Sequence, residues 1–195
     1  LEITPRHVAA LAVSTDRSGQ TRILAHAVEA VPAGAVTPAL NAPNIGRPDE
    51  VAHAVERAFG TLGQRPRRVA LVVPDGVAKV SFVRFATVPA KASDLDEMVK
   101  FQVRKAAPFR IEDARVSYVP GITSTDGQEF VVTQARLDII AEYERACGDA
   151  GAHEDQHRVE RLRFEETCER VELVHADADP EALTDRLCRG RAQPD

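Results

Sequence analysis

The chain has 195 residues, a formal net charge of −5 and three cysteines without metal-like spacing. The acidic balance argues against a nucleic-acid-binding domain, which is usually basic, and the absence of Trp argues against a base-stacking platform. No apolar run approaches the ~18 residues that a transmembrane helix needs, so we expect a globular protein with reduced thiols in the cytoplasm.

The first part of the chain predicts a β-hairpin followed by a loop. Residues 8–13 are an apolar run, residues 14–20 have turn composition, and residues 21–31 alternate loosely as a second strand. Residues 32–48 are rich in Pro, Ala, Gly and Asn, which is typical of a loop.

A helix and a strand are predicted next. Pro48 suits the first helical turn, the acidic residues after it favour the positive end of the helix, and Gly63 ends it. Residues 67–74 are rich in Val and predict a buried strand, which together with the hairpin indicates a βαβ-like connection. The apolar face of the helix consists of Val51, Val55, Ala58 and Leu62.

Residues 80–150 predict a second module in the order strand, helix, strand, strand, helix. Ser93 and Asp96 form a capping-box pattern at the start of a helix that runs to Ala106. The remaining elements are a strand at 79–85, two strands at 115–119 and 129–135, and a helix at 138–147.

The last part of the chain is highly charged and contains the pattern H-E-x-x-H. On a helix, His153 and His157 would share one face, as in zinc hydrolases, with Glu154 as the general base. The pattern is short and its middle residues are polar, so a solvated helix is the preferred interpretation and no metal is expected. A short strand at 171–174 and a helix at 180–187 are predicted after it.

The order of these elements and several local stretches resemble the first half of PilM-type pilus assembly proteins, relatives of the cell-division protein FtsA among the actin-like ATPases. The matching stretches are residues 25–36, 67–74, 98–109, 143–144 and 148–151. The most specific of them is Lys100-Phe101-Gln102-Val103-Arg104-Lys105-Ala106-Ala107-Pro108-Phe109.

The resemblance implies an α/β fold of the actin-like (ribonuclease H-like) class with an inserted α+β subdomain. Residues 1–79 would form subdomain 1A and residues 80–151 the inserted 1C-like subdomain. Residues 152–195 would be a remnant of the C-terminal subdomain after a gap, because most of the second half of the family fold is truncated or missing.

The resemblance also implies a function as a non-catalytic, cytoplasmic scaffold that is peripheral to the inner membrane. Such a protein serves a type IV pilus-like machine or, by its similarity to GspL, a type II secretion system. It holds the short cytoplasmic tail of a PilN-like membrane protein between 1A and 1C, and it can form a homo-oligomeric ring.

Four residues of the most specific stretch are the expected contacts of this tail: Phe101, Val103, Arg104 and Phe109. Phe101→Ala or Phe109→Ala should then weaken tail binding more than it lowers the melting temperature. The alternative is a helix that packs on the sheet of its own subdomain and leaves its cations in water.

The first phosphate loop of the family is an Asp-x-Gly motif followed by Ser residues and a Lys, and this chain departs from it. Glu2 stands in place of the Asp, Thr4 and Pro5 replace the Gly-Ser pair, and Ala9 replaces the Lys. Pro5 removes a backbone donor and Thr4 adds a Cβ where the backbone must approach a phosphate. Glu2, Thr4 and Arg6 are the candidate nucleotide-binding residues, but the pattern argues against ATP and Mg²⁺ as cofactors. The alternative is an actin-like ATPase that assembles with ATP.

Overall fold

Two three-stranded antiparallel sheets organise the part of the chain that the computed structural model describes, residues 1–17, 19–63 and 69–149. The sheet orders are β1-β2-β3 and β4-β6-β5, and this mixture of helices and sheets confirms the predicted α/β class. The elements are β1 (Glu2–Ile3), β2 (His7–Thr15), β3 (Thr21–Ala30), α1 (Pro48–Thr61), β4 (Ala78–Phe85), α2 (Ala92–Arg104), β5 (Ala114–Ser124), β6 (Gly127–Arg136) and α3 (Leu137–Asp149).

The predicted hairpin is confirmed as β2 and β3, which pair from His7↔Ala30 to Thr15↔Thr21. Alternate residues of the two strands face a first hydrophobic core, where Val8, Ala10 and Ala27 are buried. The face that carries them is covered by α1.

The predicted helix is confirmed as α1, with Pro48 in its first turn and Gly63 at a φ of +65° just after it. Proline suits the first turn because its missing N–H has no intrahelical acceptor there, and glycine tolerates the left-handed backbone that ends a helix. The predicted apolar face is buried in the first core: Val51, Val55, Ala58 and Leu62.

The strand predicted at 67–74 is not found as an element in residues 69–74, the part of it that the structure describes. These residues contribute one parallel bridge, Glu2↔Val72, in which Ile3 donates its N–H to the Val72 carbonyl at 3.2 Å. Val72 is 55% exposed, whereas its neighbours Leu71 and Val73 are partly buried and pack against the first core. A Val-rich run does not by itself distinguish an edge segment from a buried strand.

The second sheet carries α2 on one face and encloses a second hydrophobic core. On this face, Val83 of β4 pairs with Phe130 of the central strand β6. On the other side of β6, Tyr118 of β5 pairs with Val132. The Tyr118 and Phe130 rings meet edge to face with centroids 5.7 Å apart. Val99 and Val103 of α2 close the core from above.

The predicted capping box at the start of α2 is wrong. The helix begins at Ala92, so Ser93 lies within its first turn, and the cap residue Lys91 makes no side-chain hydrogen bond to the helix. The Ser93 hydroxyl instead contacts the neighbouring Asp94 carboxylate at 3.1 Å. The Ser93-x-x-Asp96 spacing resembles a capping box, but the helix already begins at Ala92, one residue before Ser93.

Gly127 opens β6 directly after the turn that follows β5, and its conformation requires glycine. Its φ is +124°, and a Cβ at this position would lie 2.2 Å from the Phe85 carbonyl oxygen. The hairpin therefore passes so close to the end of β4 that a side chain would force the strands apart.

The last described helix, α3, joins the first core. Ile139, Tyr143, Ala146 and Cys147 are buried among the residues of the first sheet and α1. The sequence groups this helix with residues 80–151, and the subdomain limits stay predictions. None of the described helices has the length and apolarity that crossing a bilayer requires.

Candidate peptide-binding cleft

An open cleft of about 680 Å³ lies where three segments of the chain meet. One wall is the loop before α1, the other is the turn after α2, and the floor is the junction of β6 and α3. The lining residues are Asn41, Pro108, Phe109, Glu112, Asp113, Arg136, Leu137 and Asp138.

Arg136 joins the floor of the cleft to its loop wall. Its Nη1 donates to the Asn41 carbonyl at 2.9 Å, its Nε donates to Asp138 Oδ1 at 2.9 Å, and its Nη2 donates to Asp138 Oδ2. The hydrogen bond from Arg136 holds the pKa of the Asp138 carboxyl below its ordinary value. Arginine suits this place because its planar fork serves a carboxylate and a carbonyl at once.

The turn after α2 supplies the opposite wall and mixes apolar surface with balanced charge. Phe109 is half-buried, and Ile111, buried in the second core, anchors the turn. Arg104 contacts Glu112, and Arg110 Nε lies 3.9 Å from Asp113. These exposed ion pairs contribute at most about 1 kcal/mol each, so they keep the rim polar rather than holding the fold together.

The structure separates the four residues predicted to contact a partner. Phe109 lines the cleft, and Arg104 pairs with the lining residue Glu112. Val103 is 2% exposed and lies in the second core, while Phe101 is 70% exposed on α2 and is not among the residues that line the cleft. Side chains two positions apart on a helix point in different directions. Because Val103 points into the second core, Phe101 points away from it, and the two cannot line one groove.

Sequence reasoning missed the loop and the floor of the cleft. Arg136 and Asn41 lie 95 positions apart in the chain, so no local pattern connects them. Arg136 and Asp138 flank the start of α3, but no local pattern indicates that Arg136 also bonds the Asn41 carbonyl in the loop.

Of the residues predicted for a phosphate loop, Thr4 and Arg6 lie in the tight turn between β1 and β2, and Glu2 lies in β1. Thr4 is 6% exposed, and its hydroxyl donates to the His7 carbonyl at 2.8 Å. The same hydroxyl accepts the backbone N–H groups of His7 at 3.0 Å and of Arg6 at 3.3 Å. The Arg6 side chain is exposed, and Glu2 Oε2 lies 3.9 Å from His7 Nε2. The turn thus directs its donors inward, at its own threonine.

The predicted metal candidates, His153 and His157, lie outside the described residues. Within residues 1–17, 19–63 and 69–149, no group of three or more His, Cys, Asp or Glu side chains is placed to hold a metal ion.

Known proteins resemble this chain in sequence and in fold. The family model "Type IV pilus assembly protein PilM" matches residues 1–179. Among solved structures, the "PilM-PilN type IV pilus biogenesis complex" has a TM-score of 0.62 at 18% identity, over 77% of this chain and 43% of that one. The cytoplasmic domain of EpsL, an inner-membrane component of the type II secretion system of Vibrio cholerae, has a TM-score of 0.42 at 13% identity, over 76% and 51%. No curated protein matches.

The chain spans less than half the length of the chain that it matches in that complex. The likeness of fold confirms the predicted actin-like class, and the family match extends over most of the 195 residues. The chain belongs to the family of type IV pilus assembly proteins described as PilM.

Proposed function

We propose that this protein is a non-catalytic scaffold of a type IV pilus-like assembly, and that its cleft holds the short cytoplasmic tail of a PilN-like inner-membrane protein. The observation that carries the proposal is the cleft at Phe109, in a chain whose structural neighbour is a PilM-PilN complex. The protein would then lie in the cytoplasm, peripheral to the inner membrane through its partner, and could assemble into a ring there.

The size and chemistry of the cleft favour a short peptide over a folded domain. Its volume of about 680 Å³ lies within the usual range of small-ligand sites, which is room for a few side chains. Pro108, Phe109 and Leu137 offer apolar contacts, while Asn41 and the charged rim offer partners for a peptide backbone.

The geometry of the β1–β2 turn argues against nucleotide binding at this turn. A phosphate cradle needs backbone N–H groups that point outward at the ligand. Here the N–H groups of Arg6 and His7 are used by the Thr4 hydroxyl. By the family resemblance, Thr4 stands where the family has glycine. An ATP-driven actin-like ATPase is therefore the weaker alternative, and a zinc hydrolase would rest on His153 and His157 alone.

The experiment is a fluorescence anisotropy titration with a labelled synthetic peptide that copies the cytoplasmic tail of the PilN homologue from the same organism. Phe109→Ala should weaken binding about tenfold, because it removes an aromatic contact inside the cleft. Phe101→Ala is the matched control: the same substitution on an exposed ring outside the cleft should leave the affinity unchanged.

Equal losses in both variants, or a loss in Phe109→Ala that only follows a lower melting temperature, would contradict the assignment of the cleft. Binding lost in Phe101→Ala alone would move the site to the exposed surface of α2.

A further inference from the structure

The loop wall of the cleft is tied to α3 by one carboxylate. Glu142 Oε2 accepts the backbone N–H of Asn44 at 2.7 Å and that of Ile45 at 2.9 Å, across 98 and 97 positions of sequence. A carboxylate that accepts two backbone donors forms charge-assisted hydrogen bonds, which are stronger than neutral ones. The next residue, Tyr143, is fully buried in the first core, so Glu142 projects from a fixed helix.

The loop is also braced internally, so that an anchor at one end positions the whole wall. The Asn44 side chain is 1% exposed; it accepts the Ala39 N–H at 2.6 Å and donates to the carbonyls of Ala39 at 3.0 Å and Ala42 at 3.1 Å. These bonds enclose Asn41, the loop residue that lines the cleft. Arg136 fixes the Asn41 carbonyl from the floor. At the other end, Glu142 holds the two N–H groups that face α3, beside the backbone hydrogen bond from the Thr37 N–H to the Asn44 carbonyl at 2.8 Å.

We propose that Glu142 is a positioning residue that holds the Ala39–Ile45 wall where the tail peptide needs it, although Glu142 itself does not line the cleft. The inference rests on the proposed function, since the peptide is its readout. A loop wall that is already ordered loses little conformational entropy when a peptide binds. Without the Glu142 anchor the wall would lose more, and the peptide would bind more weakly.

The test combines hydrogen exchange with the same tail-peptide titration. In Glu142→Ala, the amides of Asn44 and Ile45 should exchange faster, and the peptide should bind about tenfold more weakly. Glu142→Gln keeps an acceptor oxygen at the same reach and should restore binding to within about threefold of the wild type. Glu144→Ala removes a carboxylate from the same helix without touching the loop contacts named above, and it should change neither readout.

The outcomes separate this inference from the proposed function. Fast exchange at Asn44 and Ile45 with unchanged peptide affinity would overturn the positioning role and leave the function standing. Unchanged exchange in Glu142→Ala would show that the anchor is not Glu142. A wild-type protein that does not bind the peptide would remove the proposed function and this role together. If Glu142→Ala does not fold, Glu142→Asp carries the same test, because it keeps the charge but shortens the reach.

Discussion

Gln134 is the most unusual residue of the second core. It is fully buried on β6, on the face that also presents Phe130 and Val132, and within the described residues neither atom of its amide has a hydrogen-bond partner. A buried amide without partners forfeits the hydrogen bonds that water gives it when the chain is unfolded. The predicted strand at 129–135 contains Gln134, but the residue type gives no indication that it is buried or of what would satisfy its side chain.

Replacing Gln134 by an apolar side chain of similar length should therefore stabilise the protein. We expect Gln134→Met to raise the free energy of unfolding by about 1–2 kcal/mol, because it removes an unpaired amide without leaving a large cavity. Urea denaturation at a constant m-value measures the change.

The control for that change is Val132→Ala, two residues away on the same face. It should lower the free energy of unfolding by about 1–3 kcal/mol through the cavity that it opens. Destabilisation by Gln134→Met would mean that the amide has a partner in solution.

Among the helices and strands, a side-chain hydrogen bond joins α2 to β5. The Tyr118 hydroxyl donates to Asp96 Oδ1 at 2.7 Å, while its ring packs against the second core. Burial, with the Asp96 contact, raises the pKa of Tyr118 to about 12 from its ordinary 10.0. Tyr143 of α3 provides a contrast, since its buried hydroxyl has no partner among the described residues.

Two Tyr→Phe variants separate a bonded hydroxyl from an unbonded one. At pH 7, Tyr118→Phe should lower the free energy of unfolding by about 1 kcal/mol, whereas Tyr143→Phe should not lower it. In the wild type, Tyr118 makes its full contribution to the free energy of unfolding below pH 10, where its hydroxyl is protonated in both the folded and the unfolded chain. It disappears as the pH rises from 10 through about 12, because the unfolded chain loses its proton first.

Denaturant titrations at pH 7, 9 and 11 measure both effects. Equal losses in the two variants at pH 7, or an alkaline decline that is the same with and without Tyr118, would contradict the tie between α2 and β5.

Local patterns predicted most elements, because hydrophobic periodicity and turn residues are written in short stretches of sequence. The hairpin, α1 and the strands of the second sheet lie close to their expected places. The misses depend on tertiary context: residues 69–74 lie beside a two-residue strand rather than inside a sheet, and Ser93 follows the start of its helix. The packing of α3 against α1 joins residues about 90 positions apart, which no window of sequence shows.

At the scale of the whole molecule, the cleft belongs to no single element. Asn41, Phe109 and Arg136 come from three distant parts of the chain, and only the fold brings them together. The sequence could place Phe109 in a binding region through the family resemblance. It could not supply the loop wall or its anchor Glu142, since both contacts cross more than 90 positions.

The central claim is that this protein binds a peptide tail and not a nucleotide, and isothermal titration calorimetry tests it most directly. Mg-ATP and the tail peptide are titrated separately into the same preparation. We predict saturable one-to-one heat from the peptide and no binding heat from Mg-ATP, because the β1–β2 turn keeps its N–H groups on Thr4. Saturable heat from Mg-ATP, or no binding heat from the peptide, would contradict the account.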